Sequence, residues 1–390
     1  MTWYSTEILV TPDQLWDFAW SAPMRDLAAQ VGLSDVGLKK LLRSHGIGPP
    51  PQGYWNKLRA GKPVPKRPRL PPRGPGESDR IRVDARFEAF LSPAPPMSAD
   101  GPFASAAVPE DLEVLRAQEL KSIGRVGVPA ALDRFHPALQ SILKQEARRR
   151  EKAANSPYHW DAPKFDNQVA RRSLRILNAI FLALAKRGYS GSADERNGEI
   201  SAGAIVGGTY VGLDLGIAGK YRTVVLAGYH RPDPALPAST PLILRIGSSL
   251  RGNAGETWQD DGEGKLEIRI GAIAAAIIVA AEAAFRRRLK EEVERQEQAK
   301  VAAQKARLER LAALNRQRLE DLRKSGELLR QSEEIRALVA RVEAAVLSGS
   351  TDVDAATVTA WKRWAFDEAD RIDPVISGQI RSHLNEPGQD

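Results

Sequence analysis

The spacing of apolar and polar residues divides the chain into four segments. Residues 1–62 alternate short helical patterns with turn signals, and residues 63–110 are rich in proline, glycine, serine and alanine. Residues 111–285 mix helical and strand periodicities, whereas residues 286–390 have helical periodicity almost throughout. The pattern predicts an α+β multidomain protein with a tri-helical N-terminal domain, a proline-rich linker, a small α+β core and a long helical C-terminal arm.

The core segment is predicted to contain an antiparallel sheet covered by helices. Apolar spacing predicts helices at 110–121, 129–153 and 165–187, with Gly188 in the position that ends the last one. Four β-type runs follow, at 199–206, at 209–217 or 221–229, at 241–247 and at 265–271. Because no helices separate these runs, we expect antiparallel pairing, with the third helix and the helix that starts after residue 272 on one face.

The C-terminal segment is predicted to be one long helix or a two-helix hairpin. From Ala272 to Leu347 only Gly326, next to Ser325, disfavours a helix, so a fold-back at this pair is the alternative. Apolar residues keep a broken heptad alternation, with polar residues at much of the seam between 296 and 307. The pattern leaves open both a self-associating coiled coil and a helical arm packed on its own domain.

A final amphipathic helix is predicted from a cap at Thr351 and Asp352 to Ile372. Its large apolar side chains need a packing partner, which is either the long helix or a second subunit. These side chains belong to Trp361, Trp364, Phe366 and Ile372.

The composition excludes several classes of site. The 390 residues include no cysteine, which excludes disulfides and thiolate zinc sites. The start of the chain lacks the pattern of a signal peptide, and the most apolar stretch, residues 271–281, is too short to span a bilayer. The net charge of +8 is compatible with a polyanionic partner, and we expect a soluble, cytoplasmic protein with no membrane contact.

Residues 23–43 carry the most specific functional signal, two short helices joined by a tight turn. The turn is expected at Gly32, since it requires a residue that tolerates positive φ, and Ser34 or Asp35 is suited to cap the second helix. Small or apolar residues are predicted to face inward from both helices and the turn: Leu27, Ala28, Val31, Leu33, Leu38, Leu41 and Leu42. This spacing resembles the helix-turn-helix superfamily, and the resemblance covers residues 1–62 only.

The resemblance implies double-stranded DNA as a partner, with the second helix in the major groove. The residues then expected to face DNA are Ser34, Asp35, Val36, Lys39, Lys40 and Arg43. The three basic side chains are suited to guanine edges or phosphates, whereas Asp35 is equally suited to capping the helix. Tri-helical units of this kind also serve as protein-interaction modules, which stays an alternative.

A basic, proline-rich arm follows the second helix. Between Lys39 and Arg73 there are ten basic residues and no acidic one. Beyond the second helix, the predicted DNA contacts are Lys57, Arg59, Lys62, Lys66, Arg67, Arg69 and Arg73. Proline keeps the run from Gly61 to Gly74 from forming a helix, so we expect this part of the arm to be a flexible extended segment in an A·T-rich minor groove, with a solvated linker as the alternative. Tyr54 and Trp55 are expected to pack the arm on the domain or to lie against a deoxyribose.

No catalytic, metal or cofactor site is predicted. The five histidines lack the spacing of metal ligands. Asp260, Asp261, Glu263 and Lys265 stand together before the strand predicted from Leu266 to Ile270 and could hold a divalent ion for phosphodiester hydrolysis. Because the acidic residue expected on a separate preceding strand is missing, a polar hairpin loop is favoured over a nuclease site.

Together these patterns predict a sequence-specific double-stranded DNA-binding protein of a bacterial type, most simply a dimeric, nucleoid-associated transcriptional regulator. Homodimerisation through the C-terminal helices is expected, because one helix-turn-helix contacts only a few base pairs. The alternative is a DNA-targeting adaptor subunit of a larger DNA-processing or defence assembly, with a protein partner bound through residues 286–390. A metal-dependent nuclease ranks third.

Overall fold

The computed structural model describes residues 7–95, 98–129, 135–155, 163–196, 199–226, 229–247, 255–262 and 264–384. The chain divides into two compact units, Met1–Val293 and Glu294–Asp390. The fold is mixed α+β, with small antiparallel sheets and one long helix towards the C-terminus, in agreement with the predicted class. Among the described residues, no helix combines the length and the apolar character needed to cross a membrane.

The N-terminal helices pack around an apolar core. They are α1 (Pro12–Ala19), α2 (Met24–Gln30), α3 (Asp35–Ser44) and α4 (Tyr54–Arg59). A capping box starts α1, since Thr11 and Gln14 each accept a hydrogen bond from the other's backbone N–H. The first three helices bury one face each, with Leu15, Trp16, Phe18, Leu27, Ala28, Leu38 and Leu42 in the shared core.

This helical core is closed by residues from the predicted linker. β1 (Glu7–Val10) pairs antiparallel with β2 (Ile81–Asp84), and Phe87 and Leu91, which follow β2, are buried in the same core. Residues 81–91 are therefore packed structure, which differs from the linker that composition predicts. The run Ile-Arg-Val-Asp alternates apolar and polar residues, but four residues flanked by a proline-rich segment are too few to indicate a strand.

In the sequence, three helices follow the N-terminal core and precede the main sheet. They are α5 (Leu112–Ile123), α6 (Pro137–Asn155) and α7 (Gln168–Lys186). The predicted bounds of α5 and α7 are confirmed to within three residues, whereas α6 begins eight residues after the predicted start at 129. Residues 130–134, which the prediction placed in α6, lie outside the described residues.

The main sheet is antiparallel, as predicted, with strand order β3-β4-β5-β8-β9, and β6 and β7 pair as a separate hairpin. The strands are β3 (Ser190–Arg196), β4 (Glu199–Val206), β5 (Thr209–Ile217), β6 (Thr223–Leu226), β7 (Tyr229–Pro232), β8 (Leu242–Ile246) and β9 (Thr257–Gln259). The predictions at 199–206, 209–217 and 241–247 are confirmed, and β6 lies inside the alternative run at 221–229, so both runs contain strands.

Strand β3 was not predicted, because its sequence Ser-Gly-Ser-Ala-Asp-Glu-Arg contains no large apolar residue. It is a strand because it pairs along its whole length with β4. Gly191 also packs directly on Phe181, where an added Cβ would lie 2.4 Å from the ring. Partners elsewhere in the chain, rather than its own periodicity, determine this strand.

The strand predicted at 265–271 is wrong. Leu266–Ile268 forms a 3-10 turn, and the helix α8 (Ile270–Leu347) begins directly after it. Leu266 and Ile270 are both buried, and their spacing of four fits the start of a helix as well as a strand.

Helix α7 and the first turns of α8 cover one face of the main sheet, as predicted. Their buried side chains meet those of β4, β5 and β8 in one core, with Ile176, Ile180, Phe181, Ile273 and Ile277 among the largest. The opposite face of the sheet is exposed at Tyr210 and Arg245.

The second unit contains most of α8, followed by α9 (Ala355–Ile372) and α10 (Arg381–Leu384). Helix α8 continues through Ser325 and Gly326, so the predicted alternative of a fold-back there is wrong. A single glycine costs a helix only about 1 kcal/mol, and Ser325 is buried, with its hydroxyl 3.0 Å from His383 Nε2. The cap of α9 is Asp354 rather than the predicted Thr351 and Asp352.

The apolar side chains of α9 have only part of the packing that the sequence predicts. Ala365 and Ala369 are buried, and the ion pair between Lys362 and Glu343 joins α9 to α8 at 2.6 Å. Trp364 keeps 64% of its surface exposed. Trp361, Phe366 and Ile372 are half-buried, so Trp364 is the one of the four predicted large side chains that faces outward.

Candidate nucleic-acid interface

The turn between α2 and α3 has the backbone geometry that its sequence predicts. Gly32 has φ +62°, the left-handed conformation that favours glycine. The backbone N–H of Leu33 donates to the Ala28 carbonyl at 2.9 Å, which ends α2. Ser34 caps α3, because its hydroxyl accepts from the Gly37 N–H at 3.0 Å, so the choice between Ser34 and Asp35 is resolved.

Helix α3 separates an apolar face from a basic one. Leu38 and Leu42 are fully buried against the helical core, and Leu41 is partly buried. All six residues predicted to face DNA from α3 are exposed: Ser34, Asp35, Val36, Lys39, Lys40 and Arg43. Within the described part of the chain, Lys39, Lys40 and Arg43 form no ion pair, so their charges face solvent without a neutralising partner.

Aromatic side chains hold α4 close to α1. The Trp20 indole N–H donates to the Gly48 carbonyl at 3.0 Å, and the Trp20 and Tyr54 rings meet edge to face at 5.3 Å between centroids. Tyr54 in turn contacts Trp55 in the same geometry at 5.4 Å. Of the two predicted roles of Tyr54 and Trp55, packing on the domain is the one these contacts support.

The basic arm remains close to this surface. Lys57 and Arg59 at the end of α4 are exposed, as are Lys62, Lys66 and Arg69 of the arm. Arg67 differs, because it pairs with Asp17 of α1 at 2.6 Å and lies over the Trp16 ring at 5.6 Å from its centroid. The arm is thus attached to α1 near its middle.

Arg73, the last of the predicted DNA contacts, is held inside the fold. Its guanidinium donates to both carboxylate oxygens of Glu282 at 2.9 and 2.8 Å and to the Phe103 carbonyl at 2.6 Å. It also lies over the Phe285 ring, and only 9% of its side chain is exposed. Arg73 joins the arm to α8 and has little surface left for a phosphate.

Glu282 is a buried charged residue that the sequence pattern did not single out. It is fully buried, and burial alone would raise the pKa of its carboxyl group. Hydrogen bonds from Arg73, the Gly76 N–H and Arg286 outweigh burial and hold that pKa below its usual value of 4.5. A lone carboxylate within an apolar helical run was the available signal, since a buried charge requires a partner.

The acidic cluster weighed as a nuclease site has other partners. Asp260 pairs with Arg172 at 2.8 Å and accepts hydrogen bonds from the N–H groups of Leu242 and Leu266. Asp261 pairs with Arg269 at 2.6 Å. Glu263 lies outside the described residues. The residues that the structure describes contain no group of three or more histidines and carboxylates suited to hold a metal ion.

Comparison of the chain with models of protein families, with curated proteins and with solved structures finds no match.

Proposed function

We propose that this chain is a sequence-specific double-stranded DNA-binding protein, with α3 as the helix that enters the major groove. The observation that carries the proposal is the division of α3 into a buried leucine face and an exposed face, whose three basic side chains have no ion-pair partner among the described residues. Helices of this kind read base edges with residues near their N-terminus and contact phosphates with flanking basic residues.

The basic arm extends the proposed interface beyond α3. Lys57, Arg59, Lys62, Lys66 and Arg69 are exposed in a stretch of chain that has no acidic residue. Such a surface attracts phosphates, and arginine in a proline-stiffened segment suits the narrow minor groove of A·T-rich DNA. Arg73 is not part of this proposed surface. Arg67 contributes only the part of its guanidinium that stays exposed beside Asp17.

We propose a homodimer as the working form, with transcriptional regulation as the output. One helix of this length reads few base pairs, and a second copy supplies the missing affinity. The second unit has exposed apolar side chains suited to self-association: Val301, Leu308, Leu322 and Trp364. The same side chains also favour the second candidate function, a DNA-targeting adaptor that binds another protein.

Selection of bound duplexes from a random-sequence library tests the DNA proposal. The full chain is expected to enrich one sequence, and Lys39→Ala and Arg43→Ala to bind it at least tenfold more weakly. Lys305→Ala, which removes an exposed lysine from α8, is the matched control and should bind like the parent. Absence of any enriched sequence, or equal binding by all three variants, would contradict the proposal.

The footprint on the selected sequence separates the two outputs. A dimeric regulator should protect two half-sites spaced by about one helical turn or a multiple of it. An adaptor without self-association should protect a single site and sediment as a monomer. The spacing of protected bases and the mass in sedimentation equilibrium decide between them.

A further inference from the structure

Residues 73–77, where the basic arm ends, dock on the core of the first unit. The Gly76 N–H donates to Glu282 at 2.8 Å, and the Gly76 carbonyl accepts from the Thr209 hydroxyl at 2.8 Å. Arg288 of α8 donates to the same Thr209 oxygen at 2.8 Å. Both backbone groups of Gly76 are therefore held by the core.

Glu282 is the centre of this contact. Four hydrogen bonds converge on its buried carboxylate, two from Arg73, one from Gly76 and one from Arg286. Only Arg286 lies on the same helix. A neutral side chain at position 282 would leave two guanidinium groups together without their shared counter-charge.

The backbone of residues 73–77 packs so closely on the core that it has no room to shift. Gly76 has φ +70°, and an added Cβ would lie 2.5 Å from the Val206 carbonyl oxygen. At Gly207, in the turn between β4 and β5, an added Cβ would lie 2.2 Å from the Pro75 carbonyl oxygen. The backbones of the arm and the sheet touch directly, so the arm has a defined end point.

Among the described residues, the arm is also attached at Arg67 and Leu70, and neither contact is fully buried. Arg67 and Asp17 form a surface pair, with 38% and 72% of their side chains exposed, and pairs of this kind contribute little in water. Leu70 is half-buried against the helical core. Lys66 and Arg69 lie beside these two attachments, and the buried contact at Glu282 fixes the end of the segment that carries them.

We infer that Glu282 is a positioning residue for DNA binding, which fixes the basic arm from within the core so that its exposed charges meet the minor groove beside the α3 site. The inference rests on the proposed function. An arm already held in place loses less conformational freedom when it binds, and this raises its affinity without a further contact. The DNA surface is thus coupled to a residue 209 positions away from Arg73 in the chain.

Two duplexes test this positioning role. A short duplex carries only the sequence selected by the full chain, and a long duplex adds an A·T-rich flank for the arm. Glu282→Gln and Arg73→Ala are each expected to bind the long duplex about tenfold more weakly and the short duplex within twofold of the parent. The double variant should lose no more than either single variant, because both changes remove one contact.

Matched controls separate positioning from net charge and from damage to the fold. Glu256→Gln removes the same charge from the Arg116 pair, and Arg245→Ala removes the same charge from the Asp214 pair. Both should bind the two duplexes like the parent. Equal losses on the short and long duplexes, or no loss on either, would overturn the inference.

Amide hydrogen exchange in the DNA-free protein gives a readout that does not depend on the proposed function. Exchange of the hydrogen-bonded amides of Gly74, Gly76 and Glu77 should accelerate at least tenfold in Glu282→Gln and stay unchanged in Glu256→Gln. Unchanged exchange in Glu282→Gln would overturn the positioning role even if the parent binds DNA. If the parent protein binds neither duplex, both the proposed function and this inference are overturned. Faster amide exchange in Glu282→Gln would in that case show that the contact has a purely structural role.

Discussion

At the scale of single residues, burial decides which of the basic side chains are available to a ligand. Lys39 and Arg73 are the two ends of one acid-free stretch and look equivalent in sequence. Lys39 is exposed, whereas the Arg73 guanidinium is held by Glu282 and the Phe103 carbonyl. A positively charged side chain therefore lies on an exposed surface at position 39 and forms an internal contact at position 73.

The close approach at Gly76 predicts a stability effect. Gly76→Ala should lower the free energy of unfolding by roughly 2–5 kcal/mol, because strain at positive φ and a clash with the Val206 carbonyl add together. Gly208→Ala is the control, since Gly208 has φ +84° but open space around an added Cβ. It should cost only about 1–2 kcal/mol. Urea unfolding of both variants measures the difference, and equal costs would contradict the close contact.

The Glu282 carboxylate predicts a pH dependence of stability. Its pKa is lowered in the folded protein, so its contribution is complete above the usual value of 4.5 and is lost as pH falls through the lower, folded value. The free energy of unfolding should therefore decrease on acidification below about pH 4.5. Glu282→Gln should be less stable at pH 7 and show a flatter decrease between pH 5 and 3. Urea unfolding across this range provides the measurement, and parallel curves for parent and variant would contradict it.

At the scale of elements, short segments depend on their partners and long ones on their own propensity. β3 has no apolar pattern and is a strand through its pairing with β4, while the apolar run at 265–271 became a turn and the start of α8. Helix α8 continues through Gly326 because the residues on both sides favour a helix. Propensity summed over many residues thus outweighs one unfavourable position.

The continuity of α8 predicts the effect of replacing its glycine. Gly326→Ala should stabilise the helix by about 1 kcal/mol, since glycine is a poor helix former and nothing lies within 4 Å of an added Cβ. Amide exchange at residues 320–332 should slow accordingly. Gly349→Ala, after the end of α8 at φ +72°, should instead destabilise its surroundings. Faster exchange in Gly326→Ala would indicate that the chain folds back at this point.

At the scale of the whole molecule, the first unit places α3, the arm and the core in one compact body. The arm leaves α4, contacts α1 through Arg67, docks on α8 through Arg73 and returns through β2 to pair with β1. It is therefore a segment attached along its length, in contrast to the flexible arm that its proline content predicts. Such an arrangement presents its charges in a defined position.

The proposed interface predicts a steep dependence of DNA binding on salt. Eight exposed basic residues of α3 and the arm are available, and if about six contact phosphates, the slope of log K against log salt should be near −5. The eight are Lys39, Lys40, Arg43, Lys57, Arg59, Lys62, Lys66 and Arg69. Lys40→Ala should reduce the slope by about one, whereas Arg73→Ala should leave the number of released ions unchanged. Titrations between 50 and 300 mM salt test this, and a slope near zero would contradict the electrostatic interface.

The sequence by itself determined the elements whose signals are local. Gly32 and Ser34 specify the turn and cap between α2 and α3 within three residues of each other, and the leucine spacing of α3 determines which face is exposed. The antiparallel sheet and the long helix follow in the same way from strand periodicity and helix propensity. The turn, the cap and the long helix need no distant partner, because a backbone conformation, a capping hydrogen bond or a run of helix formers acts on its neighbours.

Tertiary structure alone decided the features that join distant parts of the chain. The pairing of β1 with β2 and the contact of Arg73 with Glu282 link residues that no local pattern relates. A buried ion pair forms only where folding brings both charges out of water together, so the sequence around Glu282 indicates that a partner is needed but does not identify Arg73 as that partner. The part of the proposed DNA surface on α3 was therefore predictable, and the course and end point of the arm were not.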